Sequence, residues 1–308
     1  MTGTHQESAT RMRKPAWLKR SLPSGPVYGE TRALLDAFGL HTVCQEAQCP
    51  NRFECFSKKT ATFLIMGPKC TRNCRFCSVD SGPAGPPDPE EPVRVARAAR
   101  DMGLRYVVVT SVTRDDLPDG GAHLFAGTIR EIRSRIDQVH VEVLIPDFKG
   151  DESSLVIVLD AQPDVLNHNI ETVPRLYGLV RPEADYQRSL TLLSSAHNHN
   201  ASIPLKSGIM LGVGEKPVEI RETLQDVHDS GCRIVTIGQY LQPSRYHLPV
   251  DRFVHPEEFE GWRKTALEMG FKQVFSGPFV RSSYNAGEMY SAISSKTRLE
   301  AAEYGGPT

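Results

Sequence analysis

An α/β fold, with a parallel sheet curled into a partial (β/α)6 barrel, is what this 308-residue sequence predicts. Two observations carry that expectation. After residue 60, six short β-rich runs alternate with six helical stretches, the order that builds a parallel sheet with right-handed crossovers. The runs are also nearly continuous in apolar character, as strands buried on both faces are. Six units fit a partial TIM-type barrel better than a closed eight-unit one.

The strands are expected at 61–66, 105–111, 140–145, 164–167, 202–211 and 233–237. The first helix has Asp88 as N-cap, Pro89 at its first position and acids in its first turn, and it stops at Gly103. The next three are expected at about 121–136, 151–161 and 184–197. A fifth starts near Pro217 and ends at Gly231, and a sixth runs from Pro256 to Gly270 with Glu257 and Glu258 at its positive end. The segment 81–92 carries five prolines and reads as a stiff loop, since the strand–helix rhythm continues across it. Residues 1–60 form an N-terminal extension, 61–271 the barrel and 272–308 a C-terminal extension.

Composition narrows the function classes. Hydrophobic residues make up 39 % and charged residues 24 %, ordinary for a globular protein. No apolar run approaches the length of a membrane span, and a net charge of −1 gives no field to recruit nucleic acid. Neither a membrane nor a nucleic-acid partner is therefore expected. Arg11, Arg13, Lys14, Lys19 and Arg20 oppose only Glu7 near the start, which reads either as a basic arm for an acidic partner or as a solvated tail. The polar segment 1–10 does not read as an export signal. Reduced cysteines then point to a cytoplasmic location.

Six of the seven cysteines fall in two triples, Cys44, Cys49 and Cys55, then Cys70, Cys74 and Cys77. Three thiolates in a short loop can hold three irons of a cubane cluster and leave the fourth iron open to a ligand, so two triples suggest two clusters with chemistry beyond electron carriage. A disulfide framework is disfavoured because a chain of this size needs no staples. Zinc suits the Cys74–Cys77 spacing, but a zinc site would add a second close pair or a His pair, and no histidine falls between Met66 and Arg100. Cys232 opens an apolar run and reads as a small core residue.

Working residues in such barrels lie after the C-terminal ends of the strands. Cys70 follows the first strand closely. The polar strand ends at Thr110 and Ser111, at Asn167 and Asn169, and at Gly208 fall at the same end and predict one shared site.

The Cys70-x3-Cys74-x2-Cys77 run, with Phe76 before the last cysteine, resembles the signature of radical S-adenosylmethionine (SAM) enzymes. A closer resemblance, from about Lys14 to Ala286, is to the lipoyl synthase family. It rests on Cys44-x4-Cys49-x5-Cys55, the Arg114-Asp-Asp-Leu117 run, Asn167-His-Asn169, Gly238-Gln-Tyr-Leu-Gln-Pro-Ser244 and Arg281-Ser-Ser-Tyr284. Asn285 departs from it, where a His often follows the last motif.

The resemblance implies a partial barrel of the radical SAM type and two 4Fe–4S clusters. One, on Cys70, Cys74 and Cys77, would bind SAM, whose one-electron cleavage gives a 5′-deoxyadenosyl radical. Phe76 would sit near its adenine, and Thr110, Ser111, Asn167, Asn169 and Gly208 are candidates for holding it. The other, on Cys44, Cys49 and Cys55, is implied to donate sulfur to C6 and C8 of an octanoyl chain. Its fourth ligand is implied to lie in the Arg281–Tyr284 motif, with Ser283 preferred to Ser282. The implied partners are a reducing electron donor and an octanoylated lipoyl carrier, either a glycine-cleavage H protein or a 2-oxoacid dehydrogenase acyltransferase domain. Sulfur transfer requires the triples to lie within about 10–20 Å, with 1–60 wrapping the barrel. A methylthiotransferase-like enzyme and a non-catalytic zinc protein remain the alternatives.

Overall fold

The computed structural model describes residues 12–20, 25–288 and 290. Its barrel strands are β1 (Thr62–Ile65), β2 (Tyr106–Ser111), β3 (His140–Leu144), β4 (Val165–Asn167), β5 (Leu205–Leu211), β6 (Ile234–Gln239) and β7 (Gln273–Gly277). Between them lie α1 (Glu91–Asp101), α2 (Ala122–Arg135), α3 (Glu152–Asp160), α4 (Tyr186–His199), α5 (Pro217–Asp229) and α6 (Pro256–Glu268). The strands pair in parallel and in chain order. Six βα units thus form the expected partial barrel. A seventh strand, β7, continues the sheet beside β6. The sequence does not mark it, because Gln273-Val-Phe-Ser-Gly277 has only two strongly apolar residues.

Local sequence explains most boundaries. Asp151 accepts from the backbone of Ser153 and Ser154 to cap α3, and Asp185 accepts from Arg188 N to cap α4. Pro217 and Pro256 open α5 and α6, where a missing N–H costs nothing. The first helix begins later than expected. Asp88 instead closes a turn by accepting from Glu90 N at 2.8 Å and pairs with Arg94 at 2.6 Å, so α1 starts at Glu91.

The N-terminal extension shares the barrel's core. His41–Thr42 adds an antiparallel strand to β1. The helix Pro26–Ala37 buries Leu35, and the helix Arg52–Ser57 buries Phe56, in the same apolar cluster as Phe63 of β1. Thr31 Oγ1 donates to the Phe56 carbonyl at 2.8 Å and locks the two helices together. Cys232 is fully buried in this core.

A charged pair sits inside the barrel. Lys206 of β5 reaches Glu142 of β3 at 2.9 Å, with both side chains 1 % exposed. Tyr106 donates to the same carboxylate at 2.7 Å. Removing one partner of such a pair leaves an uncompensated buried charge, which costs about 3–5 kcal/mol. Lys206→Met should lose about that much in urea unfolding, and pairing it with Glu142→Gln should recover part of the loss.

Candidate active site and metal centres

Cys70, Cys74 and Cys77 lie on the loop after β1, and four neighbouring loops clamp it. Arg72, 4 % exposed, forks its guanidinium between Asp115 after β2 (2.7 and 3.0 Å) and Asp147 after β3 (2.6 Å). Thr71 N donates to the Thr113 carbonyl, and Asp115 N donates to Thr71 Oγ1. Arg75 N donates to the Val180 carbonyl, and His247 Nε2 donates to the Cys77 carbonyl at 2.9 Å. His247 is itself oriented by Ser244 at 2.8 Å, so the Gly238–Ser244 run knots its own loop and presents a donor to the cysteine loop. The Arg114–Leu117 run divides its labour: Asp115 pairs with Arg72, and Asp116 with Arg114. The Cys70 sulfur accepts from Thr113 N at 3.3 Å and from Arg72 N at 3.4 Å.

The other triple is built by short helices. Thr42 accepts from Gln45 N and caps Val43–Glu46, which carries Cys44. Cys55 lies on Arg52–Ser57, and Cys49 on the loop between. The C-terminal chain is sewn to this segment. Asn51 Nδ2 donates to the Phe279 carbonyl at 2.7 Å. The Tyr284 hydroxyl donates to the Glu54 carboxylate at 3.0 Å, and Arg20 pairs with Glu54 at 2.7 Å while stacking 4.0 Å above the Phe279 ring. Gly238 makes room for this crossing, since a Cβ there would lie 2.2 Å from the Val280 carbonyl. Asn285, the departure from the family motif, has φ 53°, a conformation Asn tolerates.

All six cysteines open on one cavity of about 500 Å³. Phe76, Thr110, Ser111, Asn169, Gly208, Ser282 and Ser283 line it too. Asn167 does not; it points into the barrel and donates to Glu142 at 3.4 Å. Of the N-terminal basic residues, Lys14 lines the cavity and Arg20 is a structural clamp, while Arg11 lies outside the described residues. Residues the sequence did not single out also line the cavity, Arg72, Arg181 and Glu171, as does Arg281 of the Arg281–Tyr284 motif. Arg181 lies beside Cys74, and Glu171 is held with a positive φ of 67°. Arg72 finds its partners on the loops after β2 and β3, so no local pattern marks it.

The residues fit iron–sulfur clusters and a bound small molecule. Burial first, then neighbouring sulfur in part, pushes Cys44 and Cys77 up to about 12 and Cys55 and Cys74 up to about 11. Such sites hold neutral thiols until a metal's charge reverses the preference. Among the described residues no three His, Cys, Asp or Glu side chains converge on a single-ion site. A cubane does not need such convergence, because its ligands bind separate irons. Ser111 Oγ, Asn169 Oδ1 and Arg181 Nε are buried on the cavity wall without a protein partner, the state expected of groups that receive a ligand. A Cβ on Gly208 would lie 2.6 Å from Thr236 Oγ1 and 2.9 Å from Asn169 Oδ1.

Residues 64–227 match the profile of the Radical SAM superfamily, and residues 2–49 that of the N-terminal domain of lipoyl synthase. The lipoyl synthase of Desulfotalea psychrophila is 55 % identical over 94 % of this chain and 97 % of its own length. That of Caldicellulosiruptor saccharolyticus is 54 % identical, covering 91 % of this chain and 99 % of its own. Among solved structures, methylornithine synthase superposes with a TM-score of 0.51 at 14 % identity, covering 82 % of each chain. Streptococcus suis SuiB bound to S-adenosylmethionine superposes with a TM-score of 0.53 at 11 % identity, over 73 % of this chain and 54 % of its own. At these identities the two structures speak for the fold alone.

The Arg72 clamp has a pH signature. Burial opposes the Asp147 charge, but the hydrogen bond and charge of Arg72 outweigh it and hold the carboxyl down at about 2. A depressed carboxyl stabilises the fold above its unfolded value and loses that contribution as pH falls through its folded one. The stability difference between the parent chain and Asp147→Asn should be full above about pH 4. It should shrink as pH falls toward 2, as read by urea unfolding at each pH.

Proposed function

The chain belongs to the lipoyl synthase family of radical SAM enzymes, and from that premise we propose how its residues insert two sulfur atoms, at C6 and C8 of a protein-bound octanoyl chain. The observation that carries the proposal is the single cavity onto which both cysteine triples open. Hydrogen abstraction and sulfur delivery must act on the same carbon, so their two sources must share one chamber. Unactivated carbons offer no proton that a side-chain base could remove, so a radical route is required.

In this reading Cys70, Cys74 and Cys77 hold the SAM-binding cluster, and Cys44, Cys49, Cys55 and Ser283 hold an auxiliary 4Fe–4S cluster. When bound, SAM supplies the hydrogen-abstracting radical and the auxiliary cluster supplies sulfur. Phe76 would sit near the adenine end of SAM, and Thr110, Ser111, Asn169 and Gly208, which line the same cavity, would hold the rest of it. Asn167 is set aside because it faces Glu142. Leu64, Leu144, Ile209, Met210 and Leu241 give the cavity an apolar wall suited to an acyl chain. The Arg72 clamp holds the cluster loop still while electrons enter from a reducing donor.

Ser283 is supported as the fourth ligand by its neighbours. Tyr284 is tied to Glu54, the residue before Cys55, and Ser282 Oγ lies 3.3 Å from Asn169 Nδ2 on the SAM side. That leaves Ser283 as the serine for the auxiliary side. A hard oxygen ligand is also easier to displace from iron than a thiolate, which suits a cluster that must release sulfur. The octanoyl chain is carried on a lysine of a lipoyl carrier, a glycine-cleavage H protein or a 2-oxoacid dehydrogenase acyltransferase domain. Seven free thiols fit a reducing, cytoplasmic setting. No helix among the described residues is long and apolar enough to cross a membrane.

Incubation of the reconstituted protein with SAM, a low-potential reductant and an octanoylated carrier should raise the carrier's mass by two sulfurs. An unchanged carrier mass, with SAM cleaved, would refute the proposal. Ser283→Ala should still cleave SAM yet form lipoyl product at least about 10- to 100-fold more slowly, the loss that even outer partners of a metal site cause. Full product formation would remove Ser283 from the ligand set. Gly208→Ala should weaken SAM binding about tenfold or more, since the added methyl group overpacks the wall by about 1–3 kcal/mol. Equilibrium binding to the cluster-loaded protein reads this directly.

A further inference from the structure

Arg181, buried on the cavity wall, donates to the Asn169 carbonyl at 2.9 Å; Arg72, Arg114 and the more exposed Arg20 each have a carboxylate partner, Arg72 in Asp115 and Asp147, Arg114 in Asp116 and Arg20 in Glu54. Arg281 has none within ion-pair distance among the described residues. Among the described residues its guanidinium makes one hydrogen bond, from Nη1 to the neighbouring Val280 carbonyl at 2.6 Å. The guanidinium lies over the end of β6, where Nη1 would stand 3.3 Å from a Cβ on Gly238, and it lines the cavity. Cys49 and Glu171 are the groups whose charge would favour it there, while burial opposes it. Glu171 is a poor partner, because its carboxylate accepts from Asn169 Nδ2 at 3.0 Å and burial pushes it toward the neutral acid.

An arginine stays protonated even when recessed, and an unpaired buried cation requires an anion to offset it. A cubane cluster on three thiolates and a serine oxygen carries net negative charge, and more once reduced. Net charge and burial are among the properties that set a cluster's reduction potential. We propose that Arg281 is the counter-charge of the cluster held by Cys44, Cys49 and Cys55 and raises its reduction potential; this role rests on the two-cluster reading above. Arg281 is then a positioning and tuning residue. It keeps a sulfur-rich anion stable in a partly apolar chamber and draws the C-terminal turn, with Ser283 two residues on, toward that anion.

The test uses the full chain with Cys70, Cys74 and Cys77 replaced by Ala, so that only the second cluster is read. Its midpoint potential is measured by spectroelectrochemistry with Arg281 present, as Arg281→Lys and as Arg281→Met. Arg281→Met should be harder to reduce by tenfold or more in the reduction equilibrium, about 59 mV for one electron. Arg281→Lys should stay near the parent value. An unchanged potential in Arg281→Met overturns the role. Loss of the cluster in Arg281→Met with retention in Arg281→Lys supports it, and loss in both overturns it, since charge alone then does not suffice. Iron and sulfide analysis separates the two levels. A parent chain without iron refutes the two-cluster reading and this role with it, whereas a loaded parent with an indifferent Arg281 refutes only the role.

Discussion

Glu54 joins the two ends of the described chain. Its carboxylate receives Arg20 at 2.7 Å, Lys58 at 2.9 Å and the Tyr284 hydroxyl at 3.0 Å. Hydrogen bonding from Lys58, then from Tyr284, holds it below the usual carboxylate range despite partial burial. Each contact is half exposed and modest on its own. Their value is geometric. The seam acts with the Asn51–Phe279 and Asn169–Ser282 hydrogen bonds to hold the turn at Arg281–Tyr284 over the barrel mouth. It also links the helix that carries Cys55 to the opposite end of the chain.

The second constraint is Arg72. A guanidinium this deeply buried is costly unless every donor is used, and here two carboxylates from successive strand ends use it. The cysteine loop therefore cannot drift relative to β2 and β3, whose ends also carry cavity-lining groups. Radical chemistry depends on such fixity, since a small misplacement of the reacting atom changes which bond is attacked. The seam and the clamp approach the cavity from different sides. Together they make one chamber from an extension, a barrel and a C-terminal turn.

How much of this was legible in sequence follows from the range of each interaction. The cysteine triples are local, since their ligand spacing is set within a few residues, and all six thiols meet the cavity. Helix starts at Pro217 and Pro256 are equally local. Gly208 and Asn169 line the cavity, as strand-end position suggests, but Asn167, two residues before Asn169 on the same strand end, faces the barrel interior and a glutamate instead. In sequence Arg20 reads only as part of a basic arm or a solvated tail, because its partners lie over thirty residues away. Arg72 escapes for the same reason: an arginine between two cysteines looks like any surface arginine until its tertiary neighbours are known. Strand β7 escaped because its pairing with β6, more than its own composition, makes it a strand.

The central claim is that the sulfur leaves the cluster on Cys44, Cys49 and Cys55 and crosses the shared cavity to a carbon beside SAM. It is tested most directly by isotope. The protein is reconstituted with heavy-sulfur sulfide, freed of unbound sulfide, and given one turnover on an octanoylated carrier. Mass spectrometry should find both inserted sulfurs labelled, and a Cys49→Ala chain treated identically should yield none. Product carrying unlabelled sulfur, or labelled product from the Cys49→Ala chain, would contradict it.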